Sequence, residues 1–143
     1  MNSIAWSQNL TPEAAQAAGA LLASKDQLFE RADILTIHLV LSSRTRGLVG
    51  AAELERMKPT ARLINASRGP IVDEHALIQA LTTKHIAGAA IDVFDIEPLP
   101  PSHPFRTLDN VLATPHIGYV SAGLYKTSYE DTVSNIRKWL DTH

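Results

Sequence analysis

Residues 34–41 read ILTIHLVL, a nearly continuous apolar run with β-branched side chains, bounded by Asp33 before it and by the polar segment SSRTRG after it. Such a run suits a strand buried on both faces, as in a parallel sheet. The same alternation of a short apolar run and an amphipathic segment recurs on both sides of it. Upstream, SIAWS (residues 3–7) predicts a strand, and Asn9, Thr11 and Pro12 supply an N-cap and a first-turn proline for the Ala-rich TPEAAQAAGA. Leu21 and Leu22 predict a second strand, and Ser24 caps a helix with Leu28 and Phe29 on one side.

Downstream, GAAELERMKP predicts a helix stopped by Pro59, ARLINAS a strand, and DEHALIQALTTKH a helix opened by Asp73. The strand AGAAIDVF follows, with small residues where neighbouring helices need close approach. Residues 95–108 (DIEPLPPSHPFRTL) hold four of the eight prolines and predict a stiff extended loop. NVLATPHIG predicts a short strand ending in a turn, and residues 121–143 a long amphipathic helix capped by Ser121. Strands alternating with helices predict an α/β domain with a parallel sheet covered on both faces. In such sheets the chemistry collects at the carboxyl ends of the strands.

Composition narrows the function. The 143 residues carry 13 Lys and Arg against 15 Asp and Glu, a formal charge of -2, too balanced for an electrostatic footprint on nucleic acid or anionic lipid. The absence of cysteine removes disulfides, thiolate nucleophiles, iron–sulfur ligation and Cys-based zinc sites. No run approaches the roughly 18–20 apolar residues that cross a bilayer, and MNSIAWSQ lacks the order of a signal peptide. The expectation is a soluble, cytoplasmic protein with no nucleic-acid or membrane partner, and nothing in it has metal-ligand spacing.

Three ionisable residues fall just past three successive predicted strands: Arg68 after LINAS, Glu97 after AAIDVFDI and His116 after VLATP. A parallel sheet brings all three to one rim. A His beside a Glu can exchange protons near neutral pH, because the carboxylate orients the ring and favours imidazolium. An Arg nearby offers a planar fork of donors to a carboxylate or carbonyl. Each also has an ordinary reading, as a solvated arginine, a loop charge and a histidine satisfied by backbone, and spacing alone does not choose between them.

The surrounding motifs do choose. LINASRGPIVDEHALIQAL, AGAAIDVFDIEPLPPSHPF and NVLATPHIGYVS, in this order, resemble the NAD-binding domain of the D-isomer-specific 2-hydroxyacid dehydrogenases, a likeness that runs from about residue 4 to about residue 140 and includes TRGLVGAAELERMKP. The resemblance implies a Rossmann-like parallel sheet and hydride transfer between a nicotinamide cofactor and a 2-hydroxy or 2-keto acid. It makes Arg68 the substrate-binding catalytic arginine, Glu97 the catalytic glutamate and His116 the catalytic histidine. It implies that Asp92 meets the nicotinamide carboxamide, and that Val40, Ala66, Ser67, Arg68 and the turn His116, Ile117, Gly118, Tyr119 line the dinucleotide. Homodimer formation is typical of the family.

The departures carry equal weight. A dinucleotide domain needs a Gly-rich turn whose backbone amides approach the pyrophosphate. The seven glycines, at 19, 47, 50, 69, 88, 118 and 123, include no two separated by a single residue. By register, residues 4–7 resemble the second strand of the family domain. The first strand, Gly-rich loop and first helix are therefore expected to be missing, together with the substrate domain. Residues 1–120 are read as a partial dinucleotide-binding domain and 121–143 as a C-terminal crossing helix, whose face of Leu124, Tyr125, Tyr129, Val133 and Ile136 would be left exposed.

In the strand order 3-2-1-4-5-6 the first strand is central, so its loss would leave two inner edges of unpaired backbone. The remaining strands are expected to close up, to admit another chain or to leave the fold marginal. Ser7 and Gln8 stand where NAD-preferring relatives carry an acid, so NAD is favoured only slightly over NADP; Val40 stands where many relatives carry proline. The alternative to an enzyme is a truncated, non-catalytic fragment unable to bind cofactor alone.

Overall fold

The structure is a computed structural model and describes residues 2–142. Among these residues, strands and α-helices follow in the order β1 (Ile4–Ala5), α1 (Pro12–Ala17), β2 (Leu21–Leu22), α2 (Lys25–Arg31), β3 (Ile34–Ile37), α3 (Ala51–Arg56), β4 (Arg62–Asn65), α4 (Glu74–Thr82), β5 (Gly88–Ile91), β6 (Val111–Ala113) and α5 (Ala122–Thr142), alternating except between β5 and β6. Helix starts are chemically marked. Thr11 accepts from the Ala14 amide ahead of Pro12, Ser24 and Gln27 form a reciprocal capping box, and Asp73 accepts from the Ala76 amide.

All strand pairs are parallel. They form two sheets, β1-β2 and β3-β4-β5-β6. The remaining strands therefore do not close up. β1 and β3 are both edges among the described residues, and an apolar groove lies between them, lined by Ile4, Trp6, Phe29, Leu35 and Ile37 among others.

The four-stranded sheet is buried on one face only, which corrects the expectation drawn from ILTIHLVL. Leu35, Ile37, Leu63, Ile91 and Leu77 join one core with Leu54, Ile71, Leu81 and Phe105. α2 packs on α3, and α3 on α4, over that face. On the other face Ile34 is 59% and Leu112 66% exposed, because among the described residues no element covers them. β3 also ends at Ile37, so residues 38–41 leave the sheet and Val40 stands 84% exposed. Period-2 alternation, not continuous apolarity, is the pattern of burial in β3 and β4.

Two glycines mark close backbone approaches. A Cβ on Gly69 would lie 2.2 Å from the Phe94 carbonyl carbon, and one on Gly88 2.7 Å from the Asn110 carbonyl oxygen. The tight neighbour at Gly88 is thus the backbone leading into the adjacent strand, not a helix as the AGAAIDVF reading had it. α5 buries none of its residues, and Leu124, Tyr125, Tyr129, Val133 and Ile136 are exposed, as expected for a face without its partner. Among the described residues no helix is long and apolar enough to cross a membrane.

Candidate active site

The site lies past the carboxyl ends of β4, β5 and β6, which neighbour one another in that order. Asn65, Ile91 and Ala113 are in register at those ends. Arg68 follows Asn65 by a turn that the buried Asn65 side chain holds from both sides: its Nδ2 donates to the Arg68 carbonyl at 3.0 Å and its Oδ1 accepts from the Ser67 amide at 3.1 Å. Ser67 Oγ donates to the Leu39 carbonyl at 2.5 Å, tying the exits of β3 and β4 together. The Thr45 hydroxyl holds the Val40 carbonyl at 2.7 Å.

Glu97 and His116 meet directly. The His116 Nδ1 lies 2.8 Å from Glu97 Oε2, and the Phe94 amide donates to Glu97 Oε1 at 2.9 Å. The hydrogen bond from His116 holds the Glu97 carboxyl below its ordinary range, helped by the Phe94 amide, by the charge of His116 and by that of Arg68. Arg68 makes no hydrogen bond to either residue among those described; its Nη1 donates to the Ser67 carbonyl at 2.6 Å. Its charge is the smallest of the influences that lower the Glu97 carboxyl.

Asp92 does something the sequence reading did not assign to it. Only 8% exposed, its carboxylate accepts from Thr114 Oγ1 at 2.5 Å, from the Ile117 amide at 2.9 Å and from the Gly118 amide at 2.7 Å. Burial pushes this carboxyl up, and the three donors outweigh burial and hold it below its usual range. The grip closes over His116, whose φ of 56° lies in the left-handed region that a non-glycine residue occupies at a cost. Gly118 is close to obligatory there, since a Cβ would sit 2.9 Å from Asp92 Oδ2.

A shallow cavity of about 420 Å³ is lined by His38, Leu39, Val40, Leu41, Ala66, Ser67 and Arg68. Val40, Ala66, Ser67 and Arg68 therefore share one depression, while Asp92, His116, Ile117, Gly118 and Tyr119 cluster at the end of β6, with the Tyr119 ring edge-on to His116. Val40, Ile117 and Tyr119 all expose apolar surface. For a pyrophosphate the described residues offer no glycine-rich helix start. Sequence reasoning passed over Asn65 and Thr114, whose signal was a polar side chain at the end of an apolar strand.

A parallel α/β unit with polar residues gathered past the carboxyl ends of its strands belongs to the class of open α/β domains that bind ligands at that rim. Residues 1–118 match the family described as D-isomer specific 2-hydroxyacid dehydrogenase, NAD binding domain. The chain belongs to that family. It is 52% identical over 92 residues to a glyoxylate reductase of Thermofilum pendens, covering 64% of this chain and 27% of that one. To a D-3-phosphoglycerate dehydrogenase of Synechocystis it is 45% identical, over 82% of this chain and 21% of that one. A phosphoglycerate oxidoreductase from Vibrio cholerae superposes with a TM-score of 0.87 at 33% identity, over 98% of this chain and 45% of its own.

Solved relatives carry either dinucleotide. A D-isomer specific 2-hydroxyacid dehydrogenase from Lactobacillus delbrueckii is an NAD complexed form (TM-score 0.73, 31% identity, 84% of this chain and 40% of that one). One from Xanthobacter autotrophicus is in complex with NADPH (TM-score 0.63, 42% identity, 68% and 32%). The chain thus spans about a quarter of the length of the two curated relatives named above.

Proposed function

We propose that this chain contributes the catalytic half of a 2-hydroxyacid oxidoreductase, with Arg68, Glu97 and His116 acting on a small 2-hydroxy or 2-keto acid. The observation that carries this reading is the Glu97–His116 contact at the rim, in reach of the Arg68 charge. With the Nδ1 proton held by a carboxylate, the free Nε2 lone pair is the base. His116 takes the proton of the substrate hydroxyl as the C2 hydride leaves, and the Glu97 carboxylate stabilises the imidazolium that forms. In the reductive direction the same imidazolium returns the proton. Arg68 presents its fork to the substrate carboxylate, fixing the reacting carbon.

A bound NAD or NADP supplies the hydride acceptor or donor. Val40, Ala66, Ser67 and the turn from His116 to Tyr119 would hold its nicotinamide end, and Asp92 would act chiefly by fixing that turn. Residues 1–120 would supply a partial dinucleotide-binding domain, and α5 would be the crossing helix that follows it. Glyoxylate, hydroxypyruvate or a phosphoglycerate as the acid accords with the names of the relatives, and the assembly would be cytoplasmic and homodimeric.

A second reading concerns this polypeptide by itself, and a specific observation favours it: the sheet is split, and no glycine-rich turn stands among the described residues. On its own the chain does not hold the dinucleotide. Titration of NADH or NADPH into the purified chain, followed by nicotinamide fluorescence, tests this. Micromolar binding contradicts it. The catalytic reading is tested by joining the chain to the regions of a relative that it does not span. His116→Ala is expected to abolish glyoxylate reduction there while NADH binding persists; retained turnover overturns the assignment.

A further inference from the structure

His103 is a second histidine engaged at both ring nitrogens, and the proposed chemistry does not use it. Its side chain is 13% exposed. Nε2 lies 3.0 Å from Glu74 Oε1, and Nδ1 accepts from the Phe105 amide at 3.2 Å, which caps the short turn Pro104–Arg106. Only one form of the ring makes both bonds. Neutral imidazole with its proton on Nε2 donates to Glu74 and accepts from Phe105. Imidazolium carries a proton on each nitrogen, so it still donates to Glu74 but turns an N–H against the Phe105 N–H. Protonation therefore gains a charge pair and loses the cap.

The cap stands at one end of a line of contacts that finishes at His116. The ring of His103 lies 4.9 Å from that of Phe105, and the ring of Phe105 6.3 Å from that of Phe94, between centroids. Both phenylalanines are buried. The Phe94 amide holds Glu97 Oε1 at 2.9 Å, and Glu97 Oε2 meets His116 Nδ1 at 2.8 Å. Close-packed buried rings pass a displacement on, because no free space beside them absorbs it.

The other charged groups at the His103 end are Asp73 and Glu74 at the start of α4, Asp95 and Arg46. Burial raises the Asp95 carboxyl most, Glu74 and Asp73 add to that, and Arg46 opposes them. Arg106 is turned to the Leu99 and Pro100 carbonyls. Histidine is the side chain that ordinarily changes charge between about pH 5 and pH 8. Over that range the lowered Glu97 carboxyl stays ionised, and a proton on His116 tightens its contact with Glu97.

We propose that His103 is a positioning residue for the Glu97–His116 pair, acting through Phe105 and Phe94, and that it slackens its hold when it takes a proton. The meaning of this for catalysis rests on the roles proposed for Glu97 and His116; the coupling itself does not.

Amide exchange on the full chain between about pH 8 and pH 5, with the intrinsic rate divided out, is the test. Protection is expected to fall about tenfold at Phe105 and severalfold at Phe94, in step with His103 protonation read from its own Nδ1 15N shift, while Leu63 is unchanged. His103→Asn keeps a capping oxygen without a titrating ring, and both falls are expected to vanish. Phe105→Leu is expected to leave the His103 titration in place and to uncouple Phe94 from it. Flat protection at Phe105, a fall out of step with the His103 shift, or a Phe94 response that survives Phe105→Leu overturns the proposal. So does a fall that persists in His103→Asn, which would belong to Asp95 or His116. Failure of the catalytic reading is a separate result, retained turnover in His116→Ala, and leaves these exchange rates where they are.

Discussion

His116 Nδ1 and Glu97 Oε2 stand 2.8 Å apart, while the second carboxylate oxygen of Glu97 is held by the Phe94 amide. The glutamate is thus fixed at both oxygens before any ligand arrives, and the imidazole must take its orientation from it. The pair is also the clearest electrostatic signature of the site, since the hydrogen bond from His116 leads the causes that lower the Glu97 carboxyl. Replacing His116 by Ala removes that donor and its charge. The Glu97 carboxyl is expected to rise toward the ordinary carboxylate range when followed by side-chain 13C shifts through an acid titration. An unchanged Glu97 titration would show that the contact is not formed in solution.

Asp92 and Glu97 both titrate below their ordinary range, so the sign of the acid response is fixed. A depressed carboxyl contributes stability that is complete above its unfolded value and fades as pH falls through the lowered folded value. Between neutrality and about pH 5 the turn from Thr114 to Gly118 is expected to stay protected, and below about pH 4 to loosen progressively. Amide exchange at Ile117 and Gly118, measured against pH with the intrinsic rate divided out, reads this directly. Loss of protection already at pH 6 would rule out the two carboxylates as the cause.

The Asp92 carboxylate has three donors and no water-facing freedom to rearrange. In Asp92→Asn one oxygen becomes an NH2 group, which then confronts a backbone amide or the Thr114 hydroxyl. Leaving such a buried donor unpaired costs roughly 1–3 kcal/mol. Thr114→Val removes one donor and keeps the shape, so its cost is expected at the low end, roughly 1 kcal/mol. Urea denaturation of both variants tests the order. A Thr114→Val loss larger than that of Asp92→Asn would mean that the amide bonds at Ile117 and Gly118 carry little.

Gly69 lies against the backbone of Phe94, and backbone cannot step aside as a side chain can. Gly69→Ala places a Cβ 2.2 Å from the Phe94 carbonyl carbon. The expected loss is at least about 2 kcal/mol, with displacement of the Phe94 segment and of the Glu97 that follows it. Gly123→Ala meets nothing within 4 Å and lies inside α5, so it serves as the opposite case and is expected to be neutral or slightly stabilising. Equal thermal midpoints for the two variants would contradict the close approach.

The element order could be read from the sequence because each helix start carries its own local chemistry, as at Thr11, Ser24 and Asp73, and because strand runs are short and bounded. The rim position of Arg68, Glu97 and His116 follows from parallel topology alone. What could not be read is set by contacts between distant segments. Whether β1-β2 would close on β3 depends on helices α2 and α3 holding the sheets where they are. The bare face of Ile34 and Leu112 depends on what no residue nearby in sequence reports. Asp92 gave no local hint of its three donors, because they arrive from residues 22 to 26 positions later.

The same long-range character applies to the loop that carries Glu97. The Phe105 amide donates to His103 Nδ1 at 3.2 Å, so that nitrogen is an acceptor and the ring proton sits on Nε2, which lies 3.0 Å from Glu74 Oε1. Glu74 Oε2 accepts from the Asp95 amide at 3.4 Å. One α4 carboxylate therefore holds the two ends of the segment between Asp95 and Phe105, with Glu97 inside it. Glu74→Ala is expected to cost roughly 1 kcal/mol, to speed amide exchange at Asp95 and Phe105, and to broaden the His116 ring signals while the Leu63 and Ile91 amides stay protected. The 15N shifts of His103 in the parent chain are expected to report the Nε2–H tautomer. The Nδ1–H tautomer there would mean that the Phe105 amide bond is not made and that the loop is held by some other contact.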